Sequence, residues 1–428
     1  MSNVFPDAEL VFLSNGPGEL TTWVRPVLEE LQQSQPRLYS GLRVSILLSP
    51  CVHAGGYELH IAQNFAGVDR VLDPDQFFPF LLWGNTPDRW EWRQQGVVVF
   101  LGGDQFYAVA IGKRLGYRIV TYAEWSVRWL PWIDHCGVAR SEVFAKVPRR
   151  YHSKLTVVGN LITDIRASAQ PTSCLSDLGW DTETEIVGLL PGSKPMKLQV
   201  GVPFCLAIAD HLHRQRPQTR FIIPVAPGLT LKTLAAYAKP AQNPLITKGA
   251  GSSATLVQPP QGIPYLQTPQ GCQIKLWTPY PAYDLLANCQ ICVTTVGANT
   301  AELTALAVPM LVVIPTQHLD LIRTWDGLWG LMANLPILGT PFASLINGLI
   351  LKQGLRLRAW PNIWAQQEIV PELVGEVSAQ AICDRLQALL ETPTDLQHIH
   401  QVLQTLRGNT GSVQRLVKLI VDVLPSGT

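Results

Sequence analysis

Residues 186–194 read IVGLLPGSK, a short apolar run that leads into a glycine-containing turn and then into a helical pattern. Such a run is typical of a strand buried on both faces, and Gly192 permits a tight turn after it. At residues 290–302, QICVTTVGANTAE, another apolar run leads into small and hydroxyl residues that open a helix. Strand, turn and helix in this order predict an α/β fold with parallel strands joined by crossover helices.

Apolar runs alternate with helical patterns along the rest of the chain. The first half predicts strands at residues 10–13, 44–48, 97–101, 118–122 and 155–158, with helices after Glu19, Gln105 and Asn160. The second half predicts strands at residues 186–190, 220–224, 273–276, 290–294 and 310–314, with helices at 198–214, 283–287 and 299–307. We therefore expect two doubly wound, Rossmann-like parallel sheets in succession.

The composition suggests where these domains begin and end. We expect a first domain at residues 1–168, a polar linker at 169–183, a second domain at 184–377 and C-terminal helices at 378–428. Ligands of such sheets bind beyond the carboxyl ends of the strands, so two facing sheets predict a binding cleft. The last helices either return to the first domain or exchange between subunits, and the sequence leaves both alternatives open.

The overall composition narrows the range of possible functions. The 428 residues contain 33 Lys and Arg against 32 Asp and Glu, and this balance argues against a nucleic-acid partner. Apolar residues make up 47% and charged residues 15%, as in a folded chain with a large core. No apolar run is long enough to span a bilayer and the N-terminus has no secretory pattern, so we expect a cytoplasmic protein. The eight scattered cysteines favour buried free thiols.

The turn after residue 190 is a candidate phosphate site. Gly192 frees the backbone, and backbone amides, the Ser193 hydroxyl and the Lys194 ammonium could all point at a phosphate group. The alternative is an ordinary strand-to-helix turn that carries a surface lysine.

The turn after residue 294 is a second candidate. Thr295, Gly297, Asn299 and Thr300 surround a helix start whose amides suit a diphosphate, and Glu302 could bind the two hydroxyls of a ribose. Alternatively, Asn299 or Thr300 caps the helix and Glu302 completes a capping box.

Taken together, these motifs resemble the second half of lipid-A-disaccharide synthase and its relatives, which are glycosyltransferases of the GT-B fold. The similar segments are LLPGSK at 189–194, IIPVAP at 222–227, the stretch from YDLLANCQ to PMLVV at 283–313, and PNIWAQQEIVPELV at 361–374. A weaker resemblance continues in the first domain at residues 102–104, 122–132 and 158–164.

The resemblance implies transfer of a sugar from a UDP-sugar, such as UDP-N-acetylglucosamine, to a lipid or lipid-linked acceptor. The expected place is the cytoplasmic membrane surface, with no cofactor and no essential metal. The second domain would then hold the donor. Ser193 and Lys194 would face its diphosphate, together with Gly297, Asn299 and Thr300 on the other side. The nucleoside would be surrounded by Glu302, Asn362 and Glu368.

The first domain would hold the acceptor and supply the base that accepts its hydroxyl proton. Asp104 is the first candidate base, with Glu19 and Glu124 in reserve, because each follows a predicted strand. For all three, the alternative is a capping or surface carboxylate. The loop at residues 14–19, SNGPGE, would approach the acceptor through Asn15, Gly16 and Gly18.

Two tryptophan-rich segments of the first domain also carry arginines, a pairing that suits a glycolipid groove or a bilayer interface. The alternative is aromatic core packing beside the cleft. Trp125 and Trp129 are the predicted acceptor contacts among six tryptophans, the others being Trp83, Trp90, Trp92 and Trp132.

Departures from the family pattern predict a divergent relative. The loop at residues 14–20 has no Asp, the segment at 102–109 lacks a second acid, and Asn160 and Lys194 stand where the family has His and Arg. Two other functions stay open. One is a nucleotide-sugar epimerase of the same fold, and the other is a catalytically inactive GT-B shell that serves as a binding or scaffold protein.

Overall fold

The chain folds into two units, seen in a computed structural model that describes residues 7–14, 17–50, 56–101, 105–165, 172–249, 251–316, 357–408 and 410–424. Unit 1 contains the described residues within 1–164 and 409–428, and unit 2 contains those within 165–408. The end of the chain therefore belongs to the same unit as its beginning.

Unit 1 is built on a parallel sheet. Its described strands are β1 (Ala8–Ser14), β2 (Leu42–Leu48), β3 (Arg70–Leu72), β4 (Gln95–Phe100), β5 (Arg118–Ala123), β6 (His135–Val138) and β7 (Leu155–Val157). They pair in the order β3-β2-β1-β4-β5-β6-β7, and every pair is parallel. The carboxyl ends of β1, β4 and β5 consequently lie at one edge.

Unit 2 is built on a mixed sheet. Its described strands are β8 (Ile186–Leu190), β9 (Arg220–Pro224), β10 (Thr255–Val257), β11 (Tyr265–Gln267), β12 (Gln273–Trp277), β13 (Ile291–Thr294), β14 (Met310–Pro315) and β15 (Glu372–Gly375). Their order is β10-β11-β12-β9-β8-β13-β14-β15, and only the pairs β10–β11 and β11–β12 are antiparallel.

The connections are mainly helical. In unit 1 the described helices are α1 (Pro17–Glu19), which continues through a π-helical turn (Leu20–Val24) into α2 (Arg25–Ser34), α3 (Pro36–Gly41), α4 (Glu58–Gln63), α5 (Pro74–Trp83), α6 (Phe106–Leu115) and α7 (Ser141–Ala145). Short 3₁₀ turns occupy Arg149–Lys154 and Leu161–Asp164. Unit 2 has α8 (Ser173–Leu178), α9 (Pro195–Gln215), α10 (Leu231–Ala236), α11 (Pro244–Thr247), α12 (Tyr283–Ala287), α13 (Ala298–Ala305), α14 (Trp360–Ala365), α15 (Ala379–Glu391) and α16 (Pro393–Leu406).

The ten predicted strands are confirmed, and so is the expectation of two Rossmann-like sheets. Three differences stand out. Strands β3, β6, β10, β11 and β15, each three or four residues long, were not predicted, although the equally short β7 and β13 were. The helix expected after Asn160 is a single 3₁₀ turn. Helix α8 lies inside the expected linker because its apolar residues Cys174, Leu175 and Leu178 join the core of unit 2.

Side chains between sheets and helices form the cores. All seven described cysteines are buried and free, as expected.

Within the described residues, no helix is both long and apolar enough to cross a membrane.

A buried carboxylate holds the amino ends of β1, β2 and β3 together. Glu9 has no exposed surface, and its Oε2 accepts hydrogen bonds from Arg43 Nε and Nη2 at 2.9 and 2.6 Å. Its Oε1 accepts from Ser45 Oγ at 2.6 Å and from Arg70 Nη2 at 2.8 Å. Burial alone would raise the pKa of Glu9, but these partners outweigh burial and lower it. The carboxylate is therefore fully compensated.

The final helix, α17 (Ser412–Val423), packs on unit 1 through one apolar face that includes Leu416 and Ile420. Its start is fixed by Asp164, whose Oδ1 accepts from Gly411 N and whose Oδ2 accepts from Val413 N, both at 2.6 Å. A carboxylate that caps two amides also opposes the positive end of the helix dipole. Asp164 therefore tethers the end of the chain to unit 1.

Replacing Asp164 by Ala should destabilise unit 1 by about 1–2 kcal/mol, because two amides at the start of α17 lose their acceptor. Urea unfolding followed by circular dichroism measures this loss. Asp422→Ala is the control on the same helix, since Asp422 is exposed and pairs only with exposed Lys418. Equal stability of the two variants would contradict the tethering role.

Candidate functional site

Two of the predicted motifs meet at one edge of the unit 2 sheet. Strands β8 and β13 are parallel neighbours, and their last residues, Leu190 and Thr294, are paired in register. The turns that follow, residues 191–194 (the β8 turn) and 295–297 (the β13 turn), therefore lie side by side. Helix α9 begins directly after the first turn and α13 directly after the second.

Lys197, in the first turn of α9, links the two turns. Its Nζ donates a hydrogen bond to the carbonyl oxygen of Val296 at 2.8 Å. A Cβ on Gly192, whose φ is +102°, would lie 2.7 Å from the Lys197 Cβ, and a Cβ on Gly297 would lie 3.4 Å from Nζ. Glycine at 192 therefore lets the lysine side chain pass close to the backbone of the β8 turn, whereas the distance at Gly297 is an ordinary van der Waals contact.

The Lys197 ammonium lies in an unfavourable place for a positive charge. Burial, followed by the neighbouring charge of Lys194, lowers its pKa from 10.5 to about 8. Both lysines also stand at the start of a helix, where the dipole disfavours cations. Sequence reasoning missed Lys197, although two lysines three residues apart at a helix start were a usable signal.

The starts of α9 and α13 have no side-chain cap. Their N-cap residues are Lys194 and Gly297, so the prediction that Asn299 or Thr300 caps α13 is wrong. Uncapped amides of two neighbouring helices can donate to the oxygens of an anion. The predicted donor residues on or beside these two turns are Gly192, Ser193, Lys194, Thr295, Gly297 and Asn299, with partly buried Glu302 one turn into α13.

Two other predicted donor residues have internal roles, which corrects the expectation for them. Thr300 is fully buried, and its hydroxyl donates to Gly297 O at 3.0 Å and accepts from Trp360 N at 3.3 Å. Because both of these bonds are internal, the hydroxyl does not face a diphosphate.

Asn362 is also fully buried. Its Nδ2 donates to Val370 O at 2.8 Å and to Glu372 Oε1 at 2.7 Å, while its Oδ1 accepts from Ile369 N and Val370 N. An amide with four internal bonds has no hydrogen-bonding capacity left for a nucleoside. Glu368, by contrast, is exposed in the segment between α14 and β15, and its nucleoside contact stays a prediction.

A cavity of about 60 Å³ opens beside Lys197, between α9 and the ends of β8, β13 and β14. Its walls are mostly apolar, and the residues nearest the turns are Pro191, Lys197, Thr294, Thr295 and Pro315. Gly201 allows α9 to lie this close, since a Cβ there would be 2.3 Å from Pro191 O.

In unit 1, the candidate acceptor and base residues that the structure describes follow the carboxyl ends of β1 and β5, two strands on either side of β4. Glu19 follows β1 and accepts a long hydrogen bond, 3.5 Å, from Ser14 Oγ to Oε2. Gly18 is exposed, with open space where a Cβ would stand. Asp104, Asn15 and Gly16 lie outside the described residues.

Glu124 directly follows β5. Burial raises its pKa to about 7, although the nearby charge of Arg140 and a hydrogen bond from Trp125 act in the opposite direction. The Arg140 guanidinium lies over the Trp125 ring, 4.7 Å from its centroid. A carboxyl group that titrates near neutral pH is suited to accept or donate a proton.

Aromatic side chains form an exposed surface on unit 1, here called the aromatic surface. Successive rings in the series Phe78, Tyr107, Phe106, Trp129 and Trp132 contact each other, with centroids 5.2–6.5 Å apart. Trp83, at the end of α5, is 68% exposed and Trp132 is 46% exposed. Trp125 is exposed as well, whereas Trp129 is partly buried.

Two tryptophans of the predicted interface serve packing instead. Trp90 and Trp92 are partly buried and stack on the Arg70 guanidinium at 4.4 and 4.6 Å. For this pair the core-packing alternative is the right one.

Among the described residues, no cluster of three or more His, Cys, Asp or Glu side chains could hold a metal ion.

The described geometry can be compared with known proteins. No protein-family model matches the chain. Lipid-A-disaccharide synthase of Geobacter sulfurreducens is 22% identical over 275 residues, which is 63% of this chain and 57% of that protein. The synthase of Nitrosococcus oceani is 21% identical over 157 residues, or 37% of this chain and 33% of that protein. The chain thus matches from one third to just over half of the length of these relatives.

Solved structures show the fold. UDP-GlcNAc 2-epimerase of Neisseria meningitidis, bound to UDP-GlcNAc, superposes with a TM-score of 0.51 at 12% identity and covers 97% of this chain and all of that one. The MnaA–UDP structure from S. aureus gives a TM-score of 0.51 at 11% identity, covering 98% of this chain and all of that one. The chain is a divergent relative of lipid-A-disaccharide synthase and has the two-domain, Rossmann-like GT-B fold.

Proposed function

We propose that this protein is a glycosyltransferase that moves a sugar from a UDP-sugar to a lipid or lipid-linked acceptor. The observation that carries the proposal is the pairing of the β8 and β13 turns, where two uncapped helix starts and two lysines lie together. Positive charge and helix-start amides without a side-chain cap, together at one sheet edge, are features that bind a diphosphate.

The donor occupies unit 2 in this proposal. Its diphosphate lies against the β8 and β13 turns, and Glu302, one helical turn further on, accepts hydrogen bonds from the ribose hydroxyls. The sugar is N-acetylglucosamine or a close analogue, in keeping with the UDP-GlcNAc bound to the Neisseria protein of the same fold.

The acceptor occupies unit 1. Its hydroxyl oxygen attacks the anomeric carbon of the donor sugar, the bond from that carbon to the diphosphate breaks, and the electron pair leaves with the diphosphate. A carboxylate accepts the hydroxyl proton, and Glu124 is the described residue best suited because its pKa lies near 7. Asp104 and Glu19 remain candidates for the same role.

Lysine charges at the turns stabilise the leaving diphosphate, so the proposed reaction requires no metal.

The proposed acceptor is a lipid because of the aromatic surface. Exposed Trp and Phe side chains suit the boundary between headgroups and acyl chains, where an amphipathic ring contacts both. We propose that this surface brings unit 1 to the cytoplasmic membrane surface, where the acceptor is found.

The donor site can be tested by calorimetric titration with UDP, using ADP and GDP for comparison. Wild-type protein should bind UDP selectively, and Glu302→Gln should weaken binding by about tenfold because a charged acceptor for the ribose hydroxyls is lost. Lys232→Ala, at an exposed lysine on α10, is the control and should bind like wild type. Absence of UDP binding by the wild type would refute the transferase proposal and leave a scaffold.

The choice between transferase and epimerase needs product analysis. Incubation of the protein with UDP-N-acetylglucosamine and a lipid extract should yield UDP and a glycolipid. Formation of an isomeric UDP-sugar without any acceptor would favour the epimerase instead.

The base can be tested through the pH dependence of turnover. If Glu124 accepts the proton, kcat/KM should rise with pH up to about 7, as its carboxyl group ionises. Glu124→Gln should reduce turnover by roughly 10²–10⁴-fold and leave UDP affinity unchanged. Arg140→Met should move the acid limb to higher pH, since loss of a nearby positive charge raises the carboxyl pKa. An acid limb that stays in place would point to Asp104 or Glu19.

Membrane contact can be tested by sedimentation with vesicles of phosphatidylethanolamine and phosphatidylglycerol. Combined replacement of Trp83 and Trp132 by Ser should reduce the bound fraction several-fold, because two exposed aromatic anchors are lost. Val157→Ser, which removes another exposed apolar side chain of unit 1, should have no effect. Equal binding by all three proteins would show that the aromatic surface does not contact lipid.

A further inference from the structure

We propose that the Lys197 ammonium is a direct ligand of the donor diphosphate and that nucleotide binding is coupled to protonation of this one side chain. This inference rests on the proposed function, which places a diphosphate at the β8 and β13 turns. It concerns a residue inside α9 rather than the lysine of the PGSK segment itself.

The first argument is geometric. Lys197 reaches from the first turn of α9 to the β13 turn, where its Nζ is 2.8 Å from Val296 O. An ammonium has three N–H donors, and one carbonyl accepts a single hydrogen bond from it. An anion that lies against both turns would be within reach of the remaining donors.

The second argument is electrostatic. Among the described residues, Lys194 is the charged group whose field acts on Lys197, and it is repulsive. The neighbouring helix α13 carries Glu302 as its only titratable side chain, and the Cys205 thiol in the cavity has a pKa that burial raises to about 12. The ends of β8 and β14 contribute uncharged Leu190 and Pro315. The Lys197 ammonium is thus partly buried beside another cation, and a diphosphate would compensate its charge.

The consequence is a proton-linked affinity. With a pKa of about 8 in the free protein, Lys197 is about nine-tenths protonated at pH 7 and about one-quarter protonated at pH 8.5. Only the protonated form attracts the diphosphate, so binding should take up a proton in proportion to the deprotonated fraction.

Calorimetry with UDP between pH 7.0 and 8.5 tests the coupling, because the terminal phosphate of UDP is essentially ionised throughout this range. Wild-type affinity should fall about threefold over the range, and at pH 8 about 0.4 proton should be taken up per UDP, measured in buffers of different ionisation enthalpy. Lys197→Arg keeps its charge and should show neither effect. Lys197→Met should bind about tenfold more weakly at pH 7 and also lack the pH dependence. Lys232→Met is the surface control and should behave like wild type.

Thermal melting without ligand distinguishes a role of Lys197 in binding from a role in the stability of the fold. Lys197→Met should melt no lower than wild type, because it removes a desolvated charge that Lys194 repels. A marked drop in melting temperature would instead assign Lys197 a tether between the turns. UDP binding by wild type with no proton uptake, and equal affinity in Lys197→Met, would overturn the role of Lys197 and leave the donor site intact. No UDP binding by wild type would overturn both proposals.

Discussion

The parallel pairing of β8 with β13 is the constraint on which the candidate donor site depends. Parallel strands end at the same edge, and the register that joins Leu190 to Thr294 ends both at the same level. The two turns and the starts of α9 and α13 are then neighbours by necessity. An antiparallel pair would have placed the two turns at opposite edges. The site is therefore a consequence of strand direction, and side chains only refine it.

The buried charged groups Glu9 of unit 1 and Lys197 of unit 2 differ in how completely neighbouring groups compensate their charge. Glu9 is buried deep in unit 1 and is matched by two arginines and a hydroxyl, which lower its pKa. The Lys197 ammonium donates to one backbone carbonyl and is repelled by Lys194. Its pKa is lowered, which disfavours the charged form. A fully compensated charge contributes to the fold, whereas an incompletely compensated one is left available for a ligand.

The sequence predicted the long, apolar strands and the turns that follow them, because burial on both faces leaves a strong signal. It did not predict β3, β10 or β11, although the equally short β7 was predicted, because a three-residue strand carries a pattern too brief to be decisive. The glycine-containing turns after β8 and β13 were recognised from the sequence, and the parallel pairing of these strands brings the turns to one edge of unit 2. The role of Thr300 depended on Trp360, 60 residues further along the chain. The partners of Asn362, Val370 and Glu372, are only 8 and 10 residues away, but the turn that brings them together left no recognisable pattern. Lys197 was missed because its hydrogen-bond acceptor, the carbonyl of Val296, lies 99 residues further along the chain.

Burial acts in opposite senses on the two titratable groups proposed for the reaction. It raises the pKa of Glu124 to about 7 and, with help from Lys194, lowers that of Lys197 to about 8. The base must be ionised to accept a proton, and the lysine must be protonated to hold the diphosphate. Each group is therefore in its working form only on one side of its pKa, and the two ranges overlap around neutral pH. Desolvation of one acid and one base thus brings both proposed steps into the range around neutral pH, with no need for a direct interaction between the two groups.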